Sequence, residues 1–353
     1  MIAIVDRNGR KLASSPRWQE LTGITWTRGG REVWFSGTGG LHAVDMKGKV
    51  RDLIRLPEDA NIHDVDENGD ALIDFGRERV RLMVLGAGQG SERDLSVGDN
   101  SLIFSITPDG RYVLINEQKR VGGKEYSVFL RATDDSPAVR IGSGYAVALS
   151  IDAKWAITNS LDQLHYSLVP TGAGEPRLLG QDNMRRAAGS FLPDDKRIVF
   201  LGQEPGHGYR LYVQDLQGGS ARPISPEGVR GLVAITPDGK YAAATIEAGS
   251  GRALYPVDGG APKLIHGVLP GERIVGLASD HIGYVQDPPR QLPQRVYRVD
   301  LETGRRELLK TLAPADMAGV ESLSRIRITP NGKCYAYNYD RRLFDLYIVK
   351  NLH

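Results

Sequence analysis

Apolar and polar positions alternate along this chain in runs of four to seven residues, and turn residues interrupt the runs at regular places. The stretch Leu232–Thr245 shows the unit: an apolar run to Ile235, then Thr236-Pro237-Asp238-Gly239-Lys240, then Tyr241–Thr245. Period-two alternation over short lengths predicts strands. The turn chemistry is specific. Pro237 presets φ, Asp238 bonds its own backbone, and Gly239 takes the left-handed conformation that closes the turn. A strand pair of this size buries too little to stand alone.

The unit recurs. Its turns are Thr107-Pro108-Asp109-Gly110, Leu192-Pro193-Asp194-Asp195 and Thr329-Pro330-Asn331-Gly332, with weaker copies ending at Gly30, Gly69 and Ala153 and the poorest near His281. Turns at 30, 69, 110, 153, 195, 239, 281 and 332 lie roughly 40 to 50 residues apart, the period of strand-built propeller repeats. A second motif follows each turn: Leu211-Tyr212-Val213-Gln214-Asp215, Leu254-Tyr255-Pro256-Val257-Asp258, Val296-Tyr297-Arg298-Val299-Asp300, and in the same frame Leu41–Asp45 and Leu346–Lys350. A Gly-rich turn and a short strand complete each repeat, giving four strands, a to d. The expectation is an all-β propeller in one domain over 1–353, with eight blades and seven as the alternative count. Residues 1–16 resemble strands c and d with no a and b before them, and serve as the closing segment of the ring.

These motifs resemble the TolB-type, WD-repeat-like β-propeller over nearly the whole chain. Leu56-Pro57, His63-Asp64-Val65, Glu92–Ser96, Tyr145–Ser150 and Asp345–Val349 further resemble the C-terminal propeller of acidobacterial serine/threonine protein kinases. The kinase motifs themselves are absent from the sequence: there is no Gly-rich phosphate loop followed by Val-Ala-Ile-Lys, no His-Arg-Asp and no Asp-Phe-Gly. The resemblance implies a bacterial sensor-like recognition module, extracytoplasmic if it is a kinase sensor domain and cytoplasmic otherwise.

Bulk properties narrow the classes. A formal net charge of +2 on 353 residues argues against a polyanion-binding surface, so nucleic acid is not an expected partner. A single cysteine, Cys334, rules out an internal disulfide and reads as a small buried residue. No apolar run of 18 residues predicts a membrane span.

Candidate chemistry is sparse. Asp64–Asp70 imitates a calcium loop, but Phe75 occupies the position of the bidentate acid, so these residues read as a turn. The histidines share no inner position around a ring, so no metal or cofactor is expected. No G-x-S-x-G occurs. Trp26, Trp34 and Trp155 read as core fillers. One pattern remains. Arg186, Arg230, Arg273 and Arg325 recur near the start of strand a in successive repeats, a row that would bind carboxylate or phosphate at the channel mouth. His63, which precedes a first strand, joins them as a fifth candidate. The variable loops Asn116–Glu125, Gln203–Arg210, Gln286–Arg295 and Ala313–Glu321 mark the expected binding face. The expected function is therefore non-enzymatic recognition of a peptide, protein or small anionic ligand. The alternatives are a propeller hydrolase or lyase acting on a polysaccharide or peptide, and a pure protein-interaction scaffold.

Overall fold

The computed structural model describes residues 1–353 apart from 19–20, 57–59, 119–125, 181, 247–250 and 353, so Pro57 and most of the Asn116–Glu125 loop lie outside the described residues. No helix occurs among the described residues; the chain is built from antiparallel sheets, mostly four-stranded. It divides into two compact units, residues 79–340 and residues 1–78 with 341–353.

In the larger unit five consecutive repeats each form one sheet in chain order, a-b-c-d, from Ser101–Ser143 to Arg273–Leu312. The sixth sheet joins distant segments: Val320–Ile328 is a, the start of the Tyr335–Val349 strand is b, the end of the Ala71–Leu85 strand is c, and Arg93–Asp94 is d. The apolar core lies between neighbouring sheets. Val199, Leu211, Ala242 and Ala253 pack between the third and fourth, for example, and Leu82, Val84, Ile103, Val113 and Ala336 pack between the sixth and the first. With the other four interfaces this closes a ring of six. Each fully buried aliphatic side chain contributes about 1.5–3 kcal/mol, so the interfaces between sheets carry the stability.

The eight turns of the sequence are all present, each closed by a backbone hydrogen bond such as Gly110 N to Thr107 O, 2.8 Å, and Gly239 N to Thr236 O, 2.8 Å. At Gly110 φ is +73°, and a Cβ there would meet the buried Cys334 thiol, so only glycine fits. Six of the eight turns belong to the ring. The repeat spacing predicts a single closed ring of eight or seven blades; equal spacing along the chain does not reveal which sheets share an interface, and in the larger unit six of them do.

The other two turns belong to the smaller unit. There Leu21–Arg55 forms a four-stranded sheet, and Ala60–Val65 pairs with the start of the Ala71–Leu85 strand. On that strand's other side lies the end of the Tyr335–Val349 strand, held by the Phe75–Tyr347 ring contact (5.3 Å) and the Arg342–Glu78 ion pair. Residues 1–16, expected to be the closing segment, belong to this smaller unit. Ala3–Val5 pairs with Lys11–Ser14, and Ile2, Ile4 and Ala13 pack on Val33, Phe35 and Val44. Trp34 is buried as expected, but Trp26 is 49% exposed.

Candidate functional site in the central cavity

Strand a of each ring sheet stands innermost. In five of the six the pairing with b shifts register partway along, as between Ile103 and Ser105, Ala146 and Ala148, and Ile274 and Gly276. Such bulges bend and twist a strand. The six a strands enclose a cavity of about 490 Å³, within the size range of small-molecule sites. Apolar residues such as Phe104, Ile235, Val275 and Ile328 line it, and the turn prolines Pro108, Pro193, Pro237 and Pro330 stand at one end.

Five positions before each ring turn marker stand Ser105, Ala148, Ser190, Ala234, Gly276 and Arg327, all lining the cavity. Five are small; the sixth carries a guanidinium. Arg325, two residues earlier on the same strand, also lines the cavity. Its φ of +49° is a left-handed conformation that arginine seldom adopts, and such strain concentrates at functional sites. The Arg325 guanidinium lies over the Phe104 ring, 4.5 Å from its centroid. Arg327 donates from Nε to the Phe104 carbonyl (3.1 Å) and from Nη1 to its neighbour's, Ile326 O (3.0 Å).

No acid stands among the described residues lining this cavity. Surrounding protein lowers the Arg325 guanidinium pKa, with Asp340 opposing. Burial first, and the Arg325 charge second, push that of Arg327 down to about 10. Arg325 nevertheless keeps accessible surface, as a group facing a solvent-filled cavity does. Two like charges in a mostly apolar hollow whose lining holds no carboxylate form a site that an anion would stabilise.

The five residues picked from the sequence do not gather here. Arg325 alone lines the cavity. Arg186 is completely buried and cannot reach a ligand. Its guanidinium bonds Asp182 Oδ2 (3.0 Å), Leu164 O and Met184 O, and lies over the Phe200 and Tyr166 rings. Arg230 and Arg273 are exposed and line no part of the cavity. His63 belongs to the smaller unit, where its Nε2 contacts Asp74 Oδ2 at 2.6 Å. Arg327 was missed. Its signal was the Arg-x-Arg spacing in a strand, which sets both side chains on one face. The cavity draws on a strands and a–b turns, so it opens among the stereotyped turns rather than the variable loops.

Within Asp64–Asp70 the strand ends at Val65 and Asp66–Asp70 forms a turn, as the sequence indicated: Asp66 Oδ1 accepts from the Asn68 and Asp70 amides. Among the described residues no group of three or more His, Cys, Asp and Glu side chains is placed to hold a metal. No helix among them is long and apolar enough to cross a membrane.

No protein-family model matches this chain, and no curated protein matches it. Among solved structures it is similar to a TolB from Agrobacterium tumefaciens, with 14% identity and a TM-score of 0.40 over 92% of this chain and 90% of that one. It is also similar to a puromycin-hydrolyzing peptidase of Mycobacterium tuberculosis, with 18% identity and a TM-score of 0.46 over 90% of this chain and 58% of that one. An oligogalacturonate lyase in complex with manganese gives 12% identity and a TM-score of 0.47 over 81% and 97%. The neighbours are TolB-type and other β-propellers, enzymes among them, and they leave the activity open.

Proposed function

We propose that this protein is a recognition propeller whose central cavity binds an amphipathic anion, a carboxylate carried on an apolar body. The observation that carries the reading is the pair Arg325 and Arg327 in an otherwise apolar cavity lined by no acid. The carboxylate would meet the two guanidinium groups by charge-assisted hydrogen bonds, and the apolar body would fill the space between the a strands. The same chemistry suits a peptide that ends in apolar residues and a free carboxylate. A role as the sensor part of a signalling kinase belongs to this proposal and rests on the motifs at Glu92–Ser96 and Asp345–Val349.

Decanoate is a direct probe. Isothermal titration should show saturable binding of decanoate, with decanol at least tenfold weaker. Arg325→Asn, which keeps a residue tolerant of the left-handed backbone, should weaken decanoate tenfold or more, since a charged hydrogen bond contributes about 1.5–3 kcal/mol. Equal binding of decanoate and decanol, or an unchanged affinity in Arg325→Asn, would overturn the reading.

A further inference from the structure

The smaller unit contains an incomplete sheet. Ala60–Val65 takes the a position, the start of the Ala71–Leu85 strand takes b, and the end of the Tyr335–Val349 strand takes c. Among the described residues of this unit no d strand follows, and that outer strand has the b strand as its only neighbour. Its residues repeat the c-strand motif. Leu346-Tyr347 corresponds to Leu211-Tyr212 and Leu254-Tyr255. Leu211 and Tyr212, packed against the neighbouring sheets, are 0% and 1% exposed; here Leu346, Tyr347 and Ile348 are 65%, 47% and 66% exposed. Phe344 is also exposed, although it packs across Gly76 of the b strand. A c strand with its apolar positions uncovered and a row of edge amides and carbonyls is a template for strand addition.

We infer that the free edge at Phe344–Val349 accepts an extended peptide from a partner protein as its missing d strand, and that this peptide alternates basic and apolar residues. The d strands of this chain show which chemistry the frame accepts. Val50–Arg55 reads Val-Arg-Asp-Leu-Ile-Arg, and Arg306–Leu312 reads Arg-Glu-Leu-Leu-Lys-Thr-Leu. In the latter pair the Arg306 guanidinium lies over the ring of Tyr297, the motif tyrosine of its c strand, 5.4 Å from the centroid. Tyr347 is the corresponding tyrosine of the open edge, and Asp345 adds a carboxylate two residues before it. A basic residue of the incoming strand would find both an aromatic face and a negative charge. A second copy of the chain fits less well. Antiparallel self-pairing centred on the apolar run, at Leu346, sets Arg342 opposite Lys350, and like charges directly opposed destabilise a strand pair.

The probe is a fluorescein-labelled peptide with the sequence of residues 306–312, added in trans to the intact protein and followed by anisotropy. The expected result is saturable binding, at least tenfold weaker for Leu346→Asp and Ile348→Asp, whose exposed positions leave the fold intact. Replacing the peptide's Arg and Lys by Gln should weaken it several-fold. Amide exchange at residues 344–349 should slow when the peptide binds. Absence of saturable binding, or equal affinity in both variants, overturns the inference. Sedimentation showing that the protein self-associates, and that Leu346→Asp abolishes this, overturns the assigned occupant in favour of a second copy.

Discussion

Replacing Asn338 by leucine would test how the ring is closed. Asn338 is fully buried on the b strand of the sixth sheet. Its Oδ1 accepts from the Ile103 amide (2.9 Å), and its Nδ2 donates to Ser101 O (2.6 Å) and Arg81 O (3.0 Å). The side chain therefore ties the sixth sheet to the first and to its own c strand. Leucine keeps the volume and removes all three bonds. The Ile103 amide is left without a partner at about 1–3 kcal/mol, and the two carbonyls add about 1 kcal/mol each, for a loss of about 3–5 kcal/mol. Two internal standards exist. Asn116, also on a b strand, donates to two carbonyls, Ser127 O and Gly144 O, and Asn159 donates to one, Arg186 O. Both are buried. Urea denaturation of the three leucine variants should order the losses Asn338 > Asn116 > Asn159, with about 2 and about 1 kcal/mol for the last two. The Ile103 amide should also exchange faster in Asn338→Leu than in the other two. A loss below 1 kcal/mol for Asn338→Leu, or a reversed order, would refute the reasoning.

Two further outcomes follow from groups outside the cavity. Arg186→Met should lower stability by about 2–4 kcal/mol, because the Leu164 and Met184 carbonyls lose their donor, and should leave decanoate affinity unchanged; an unaltered melting temperature would restore the surface role suggested by the sequence. Glu227 accepts from Arg210, His207 and the Gly208 amide, which together hold its pKa down to about 2. Since the folded pKa lies below the ordinary value of 4.5, its stabilising effect is full above that value and is lost as pH falls towards 2. A carboxyl NMR titration should find the midpoint near 2 in the native protein and higher in Arg210→Ala; a native midpoint near 4 would refute the contact.

The strands, turns and blade-like sheets were legible because each rests on local chemistry. Thr236-Pro237-Asp238-Gly239 needs nothing beyond its own four residues to turn. The number of sheets in the ring was not legible. It depends on Leu82 and Val84 meeting Ile103 and Ala336, and the repeat spacing carries no trace of that contact. Position near the start of a strand brought Arg186 and Arg325 together as candidates, yet one guanidinium is buried against Phe200 and the other faces the cavity. Strand position fixes a face only when the register is known, and the bulges in the a strands change that register. Arg327 becomes visible once equivalent positions are compared, since the other five repeats hold only Ser, Ala or Gly there.

The sixth sheet also sets a timetable for synthesis. Five sheets of the ring draw on one contiguous stretch each, so each can assemble soon after it leaves the ribosome. The strand that holds Leu82 and Val84 cannot. Its Arg81 carbonyl waits for Asn338, 257 residues later, which at about 5–20 residues per second is roughly 13–50 s. For that interval the end of this strand has only the short Arg93–Asp94 strand beside it, and its other edge has to be kept from finding the wrong partner.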